Sequence, residues 1–145
     1  MGRRGTPRKL GVPGEDQPKV MYKLIDAESY QKNHILVVGG GDSAIEAAMG
    51  LARQKGNKVT LSYRKDSFFR IKTRNETRIA EMIAKKSLNV IFNSVVKNIG
   101  KDEVVLFYDD HETKLKNDFV FIFAGGEPPF DLLKKIGINF GSSQN

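Results

Sequence analysis

The six residues from Gly39 to Ala44, Gly-Gly-Gly-Asp-Ser-Ala, constrain the fold of this chain more than any other segment. They follow the apolar run of residues 35–38 directly, and they open a segment, residues 44–53, whose apolar residues return at helical spacing. The order of strand, glycine turn and helix matches the G-x-G-x-x-G/A pattern of a dinucleotide-binding unit, with Ala in the last place.

Each residue type in this turn has a physical role. Gly39 permits the tight turn after the strand, Gly41 lacks a Cβ so that the backbone can approach a pyrophosphate, and Ala44 lets the helix pack closely on the strand. The first helical N–H groups have no partner within the helix and lie at the positive end of its dipole, so they suit phosphate. The G-x-G-x-x-G/A pattern alone is weak evidence for a dinucleotide-binding unit. The evidence is stronger here because a second predicted strand follows about 20 residues further on.

Composition limits the class of protein. A chain of 145 residues with 39% hydrophobic and 28% charged residues is typical of one soluble, globular domain. No apolar run approaches the roughly 18 residues of a membrane span, and no signal-peptide pattern is present, so we expect no membrane partner. The chain has no cysteine, which fits the cytoplasm and excludes disulfides, thiolate metal sites and cysteine redox chemistry within it. The net charge of +7 suggests an anionic partner, either nucleic acid or a phosphorylated cofactor.

The remaining apolar patterns predict an α/β fold, a Rossmann-like parallel sheet built from βαβ units with an inserted antiparallel β-meander. Beyond the first strand and helix, the predicted strands are 58–63, 89–92 and 119–124, the meander strands are 95–99, 103–108 and 113–116, and the predicted helices are 24–31, 75–86 and 131–136. In the 75–86 helix, periodicity predicts a buried face of Ile79, Ala80, Ile83 and Ala84.

The end of the second strand indicates which dinucleotide fits. An NAD site has an acidic residue there for the ribose 2′-OH, whereas an NADP site has cations. Here the strand ends in Ser62 and Tyr63, and Arg64, Lys65 and Arg70 follow. We interpret Ser62 and these cations as a 2′-phosphate pocket, with Tyr63 beside the adenine. A solvated basic face is the ordinary alternative, but the cluster begins where the sign of the charge has a defined role.

No catalytic centre emerges from the rest of the chain. Glu46 lies in the first helix and either approaches the nicotinamide or is an exposed helix glutamate. His34 and His111 are isolated, so no metal site is predicted. Because nicotinamide chemistry needs an acceptor and none is evident here, the acceptor is expected on another domain or protein.

Four motifs in order resemble the NADPH domain of thioredoxin-reductase-like flavoprotein disulfide reductases, a group that includes ferredoxin–NADP reductases and bacillithiol-disulfide-reductase-like proteins. The motifs are GRRGTPRKLGVPGE, GGGDSAIEAA, YRKDSFFR and FVFIFAGGEP. The resemblance covers roughly residues 2–140. It implies a strap from an FAD domain at residues 1–16, an NAD(P)H-binding domain at 17–126, and a return strap and tail at 127–145.

The resemblance further implies that the glycine turn binds the pyrophosphate, that Glu46, Ala124 and Gly125 lie toward the nicotinamide, and that cations hold the 2′-phosphate. The predicted cofactor-binding residues are Gly39, Gly40, Gly41, Asp42, Ser43, Ala44, Glu46, Ser62, Tyr63, Arg64, Lys65, Arg70, Ala124 and Gly125. Hydride would pass from NADPH to FAD on a domain that this chain is too short to contain. The expected partners are that FAD domain, a second copy in a homodimer, and an electron-acceptor protein or a small disulfide.

Two departures from the family pattern affect the interpretation. Thioredoxin reductases carry a C-x-x-C before the glycine turn, and the corresponding residues 21–33 have no cysteine. Dithiol exchange in this domain is therefore excluded, which favours a ferredoxin-reductase-like role. Arg70 is also one residue further from Lys65 than the family spacing. From another class of function, a basic nucleic-acid-binding module remains the alternative, and a methyltransferase is a weaker third hypothesis because it would need an acidic residue at the second strand's end.

Overall fold

The computed structural model describes residues 9–68 and 70–123, and these form two sheets and two α-helices. In chain order the elements are β1 (Val20–Met21), a short 3₁₀ helix (Ala27–Ser29), β2 (His34–Val38), α1 (Asp42–Ala52), β3 (Lys58–Ser62), α2 (Thr73–Ala84), β4 (Asn89–Ile91), β5 (Val95–Ile99), β6 (Glu103–Tyr108), β7 (His111–Lys116) and β8 (Phe119–Ile122). The apolar runs of the sequence correspond closely to these strands.

The first sheet is parallel, with the strand order β1-β8-β2-β3-β4. The units β2-α1-β3 and β3-α2-β4 are the two βαβ units of this sheet, as expected where parallel neighbours need a helical crossover. In the register of β2 and β3, Val38 lies opposite Ser62. The glycine turn and the basic residues after β3 therefore leave the sheet at the same edge.

The central strand β2 is buried on both faces, which explains its uninterrupted apolar sequence. Ile35 and Val37 pack in a core with α1 and α2. Leu36 packs in a second core with the antiparallel sheet β5-β6-β7. The meander thus covers the face of the parallel sheet that the helices leave open.

The segment that precedes β1 is attached to the meander. The N–H of Ile99 donates to the carbonyl of Pro13 at 2.9 Å, and the Gln17 side-chain amide donates to the carbonyl of Ile99 at 2.7 Å. Gly14 has a φ of +87°, and a Cβ there would lie 1.8 Å from the carbonyl oxygen of Ile99. Only glycine permits this approach of the segment to β5.

The predicted α/β fold, with its parallel sheet and inserted meander, is confirmed, whereas two local predictions are wrong and one short strand was missed. The helix predicted over 24–31 is reduced to the 3₁₀ helix, and β1 was not predicted. On α2, Ile79 is buried as predicted, but Ala80, Ile83 and Ala84 are exposed, because the helix turns Asn75 inward together with Ile79. The helix predicted over 131–136 lies outside the described residues.

Candidate dinucleotide-binding site

Gly39 ends β2 in a conformation that favours glycine. Its φ is +139°, and a Cβ there would lie 2.9 Å from the carbonyl oxygen of Phe123 and 3.1 Å from the Cβ of Ala44. Its N–H donates to the carbonyl of Ser62 at 3.0 Å. The turn therefore passes tightly between the ends of β3 and β8, as the strand-turn-helix pattern predicts.

Gly41 is the N-cap residue of α1 and faces open space. A Cβ built on it would meet no described heavy atom within 4 Å, and its φ of −94° is ordinary extended backbone. The carbonyl of Gly41 accepts the first helical hydrogen bond, from the N–H of Ile45 at 3.1 Å. With no side chain at this position to cap the helix, the first turn of α1 suits an anionic group.

Gly40 is a packing position rather than an open one. A Cβ there would lie 2.3 Å from the ring of Tyr63. Tyr63 is only 6% exposed, and its ring stacks on Phe68 at a centroid distance of 6.2 Å with an angle of 17° between the planes. The structure therefore places Tyr63 beneath the glycine turn, and its predicted place beside an adenine stays a prediction.

Ser62, at the end of β3, has a buried hydroxyl that is 2.6 Å from the hydroxyl of Ser94. Ser94 uses its only hydrogen to donate to the carbonyl of Ile91 at 2.8 Å, so Ser62 is the donor of the bond between the two serines. This bond ties the end of β3 to the residues after β4. The structure brings the Ser62 hydroxyl into the interior and not to the exposed cations.

The predicted cations lie at the expected edge of the sheet. Arg64, Lys65 and Arg70 follow β3 and are exposed, and Arg70 has a φ of +57°. Beside them is a cavity of about 180 Å³, which opens between the end of the parallel sheet and the meander. It is lined by Leu10, Val12, Val38, Gly39, Ser62, Tyr63, Arg64, Ser94, Val95 and Val96.

Asp42 and Glu46 both contact the start of α2. Asp42 Oδ1 accepts from the N–H of Lys72 at 3.0 Å and from Asn75 Nδ2 at 2.8 Å, and Glu46 Oε2 accepts from the same Asn75 nitrogen at 2.9 Å. The Lys72 N–H and the Asn75 amide hold the pKa of Asp42 below its usual range, against a smaller opposing effect of burial. Sequence reasoning missed Asn75, since a polar residue inside a helix gives no signal of a tertiary contact.

Some residues of the predicted site and of the predicted straps lie outside the described part of the chain. Ala124 and Gly125 lie outside the described residues, as do the return strap and the first eight residues of the leading strap. Ser43 is exposed in the first turn of α1. Within residues 9–68 and 70–123, no group of three or more potential metal ligands forms. None of the helices in these two ranges has the length and hydrophobicity that a membrane span requires.

Comparison with known families gives a match over the whole chain. The model of the family described as pyridine nucleotide-disulphide oxidoreductase matches residues 1–145. Among curated proteins, the ferredoxin–NADP reductase of Ignicoccus hospitalis is 36% identical over 96% of this chain. The bacilliredoxin reductase Bdr of Bacillus subtilis is 33% identical over 91% of it. The chain spans 46% and 41% of the lengths of these two relatives.

Solved structures show the same fold. The bacillithiol disulfide reductase Bdr (YpdA) from Bacillus cereus superposes with a TM-score of 0.80 at 28% identity, covering 93% of this chain and 42% of that one. The thioredoxin reductase of Lactococcus lactis gives a TM-score of 0.72 at 29% identity, covering 93% of this chain and 46% of that one. The resemblance to this family of reductases, inferred from the four motifs, is thus confirmed.

Proposed function

Because this chain belongs to the pyridine nucleotide-disulphide oxidoreductase family, we propose that it binds NADPH and presents it to a flavin held outside residues 1–145. One observation carries the proposal. The register of β2 and β3 puts the open first turn of α1 beside the cations that follow β3. An NADPH molecule carries phosphates that suit both features, a pyrophosphate and a 2′-phosphate.

The pyrophosphate belongs, in this proposal, at Gly39, Gly41 and the N–H groups of Asp42, Ser43 and Ala44. A Cβ built on Gly41 has no atom of the described residues within 4 Å, which supports this assignment, because the backbone there can approach a ligand closely. The helix N-terminus adds the favourable electrostatic environment that phosphates need. Gly40 contributes indirectly, by making room for the ring of Tyr63.

The 2′-phosphate belongs with Arg64, Lys65 and Arg70. An arginine holds phosphate with paired, charge-assisted hydrogen bonds, whereas an acidic residue at this strand end would repel it. Ser62 is a less direct contributor, since its hydroxyl is buried and bonded to Ser94. We therefore assign discrimination between NADPH and NADH mainly to Arg64.

When bound, NADPH supplies a hydride from its nicotinamide. Residues of this chain hold and orient the cofactor, with Glu46, Ala124 and Gly125 assigned to the nicotinamide end, and we assign no proton-transfer or nucleophilic role to any of them. The acceptor in this proposal is FAD, held on a domain outside residues 1–145. We propose that the chain alone binds NADPH without turnover.

The wider assignments follow from the same family. We propose residues 1–16 and 127–145 as straps to the FAD domain and 17–126 as the NAD(P)H-binding domain. The further partners are an electron-acceptor protein or small disulfide and a second copy of the chain, in the cytoplasm. The similarity to a protein named ferredoxin–NADP reductase and the absence of cysteine here both favour hydride delivery over dithiol exchange in this domain.

Calorimetric titration with NADPH and NADH tests the proposal. We expect the chain to bind NADPH more tightly, and Arg64→Glu to reduce NADPH affinity by about tenfold to a hundredfold, as for a lost charge-assisted contact of about 1.5–3 kcal/mol. Lys114→Glu is the matched control, because it makes the same charge change at an exposed position of the meander. Equal affinity for both cofactors, or binding of neither, contradicts the proposal. Tighter, strongly salt-dependent binding of a DNA duplex would favour the nucleic-acid alternative.

A further inference from the structure

Asn75, at the start of α2, joins two carboxylates of α1. Its side chain is 2% exposed, and Nδ2 donates to Asp42 Oδ1 at 2.8 Å and to Glu46 Oε2 at 2.9 Å. An amide nitrogen has two hydrogens, so each carboxylate receives one of them. Because a carboxylate only accepts hydrogen bonds, the nitrogen of the Asn75 amide, and not its oxygen, must face Asp42 and Glu46.

Lys72, the N-cap residue of α2, completes the connection. Its N–H donates to Asp42 Oδ1 at 3.0 Å, and its Nζ lies 3.8 Å from Glu46 Oε2. The ammonium pair is well exposed and contributes little, so the two bonds to Asp42 and the buried amide matter most. The first turns of α1 and α2 are therefore tied together by charge-assisted hydrogen bonds.

This connection fixes one end of the basic loop, by which we mean Arg64, Lys65, Arg70 and Lys72. The other end leaves β3, whose last residue Ser62 is bonded to Ser94. Arg70 is two residues before Lys72, so its distance from the glycine turn depends on where Lys72 is held. The cations and the phosphate-binding turn are thereby held at a set separation.

We propose that Asn75 is a positioning residue that fixes the basic loop against α1 and so determines the preference for NADPH over NADH. The inference rests on the proposed function and extends it to a residue that does not touch the cofactor. Loss of the Asn75 amide leaves the Lys72 end of the loop held to α1 mainly by the bond from the Lys72 N–H to Asp42, and it leaves two neighbouring carboxylates with fewer donors. Contacts to the 2′-phosphate weaken, whereas contacts made by the glycine turn, which NADH shares, are kept.

A merely structural role for Asn75 gives a different result. A buried amide that only supports packing would lower stability when replaced, and it would weaken NADPH and NADH binding by the same factor. The ratio of the two affinities therefore separates positioning from packing. Thermal unfolding of each variant without cofactor measures the packing contribution independently.

Asn75→Asp keeps the shape of the side chain and puts a third carboxylate beside Asp42 and Glu46, a charge that acts on the pyrophosphate of both cofactors, so the ratio of the two affinities is the readout. Asn89→Asp is its matched control, with the same charge change at an exposed position that begins β4. We expect the NADPH-to-NADH affinity ratio to fall about tenfold in Asn75→Asp and to stay unchanged in Asn89→Asp. Asn75→Ala, which removes the donor without adding charge, supplies the ratio if the first variant does not fold.

The outcomes are distinguishable from those of the proposed function. A wild-type chain that prefers NADPH, with the same preference in the folded Asn75 variants, overturns this inference alone. An equal loss for both cofactors also overturns it, because it indicates packing. A wild-type chain without any preference for NADPH overturns the proposed function and this inference with it.

Discussion

The Glu15 carboxylate organises the segment that leads into the domain, and replacing it tests the energetics of that segment. Glu15 is 8% exposed. Oε1 accepts from the N–H groups of Gly11 at 2.6 Å and Val12 at 3.3 Å, and Oε2 accepts from the N–H of Leu10 at 2.8 Å and the hydroxyl of Tyr22 at 2.7 Å. Three successive N–H groups that converge on one anion form a typical backbone nest.

Glu15→Gln keeps the shape of the side chain but replaces one acceptor oxygen with a donor NH₂ group. With the NH₂ group in the place of Oε2, the Tyr22 hydroxyl can rotate to accept from it, so the Leu10 N–H is the donor left facing another donor, and the remaining bonds lose the charge of the carboxylate. A hydrogen bond to a charged group contributes about 1.5–3 kcal/mol, and the partial exposure of the segment favours the low end. We expect a loss of about 2–3 kcal/mol in the free energy of unfolding, or about 4–12 °C in Tm for a chain of this size.

The pKa of Glu15 gives the same prediction a pH signature. Burial by itself raises the pKa of this carboxyl, but the bonds from Tyr22 and the backbone outweigh it and hold the pKa below its usual range. The native state therefore binds its proton less readily than the unfolded state, whose pKa is about 4.3. The stabilisation is complete above that pH and is lost as the pH falls through the lower folded pKa.

Thermal unfolding followed by circular dichroism between pH 3 and pH 7 measures both effects. Asp16→Asn is the matched control, because Asp16 is the exposed neighbouring carboxylate. Tyr22→Phe should lose about 1.5 kcal/mol, since it removes one of the four bonds to the charged carboxylate. If Glu15→Gln melts within about 1 °C of the wild type at pH 7, or if it keeps the acid sensitivity of the wild type, the reasoning about the nest is refuted.

Two substitutions in the glycine turn separate packing from binding. Gly40→Ala should destabilise the chain by about 1–3 kcal/mol, measured by urea unfolding, because its Cβ would lie 2.3 Å from the buried Tyr63 ring; unchanged stability would contradict the packing described. Gly41→Ala should cost no more than about 1 kcal/mol of stability, since its Cβ meets no described atom, yet weaken NADPH at least about tenfold in calorimetry. Cofactor binding unaffected by Gly41→Ala would count against the pyrophosphate assignment.

The parallel sheet could be predicted because its signals are local. β2 is an uninterrupted apolar run that ends in a glycine turn, and both features follow from burial and close backbone approach. β1 could not be predicted, since two residues are too few to show a periodicity. Val20 belongs to a strand because it pairs with Val120 of β8, which is 100 residues away in the sequence. The 3₁₀ helix contains too few residues for its apolar pattern to be distinguished from that of the longer helix predicted over 24–31.

The position of the candidate site in the sheet could be predicted from the sequence, but most of its side-chain contacts could not. The charge that follows β3 marked the edge of the sheet where Arg64 lies. No local pattern indicates that the Ser62 hydroxyl turns inward to Ser94, or that the ring of Tyr63 packs under Gly40. Both contacts depend on residues that are distant in the chain. Asn75 was hidden for the same reason: its partners are 29 and 33 residues away.

A titration of the ¹⁵N-labelled chain with NADP⁺ and with NAD⁺, followed by the backbone amide signals, tests the central claim most directly. We expect NADP⁺ to shift the amide signals of the glycine turn and of the cations after β3 most strongly, namely those of Gly41, Ser43, Ala44, Arg64 and Lys65. NAD⁺ should need a higher concentration and should affect the signals of Arg64 and Lys65 least. Shifts confined to the meander strands β5, β6 and β7, no shifts at all, or identical responses to the two cofactors would contradict it.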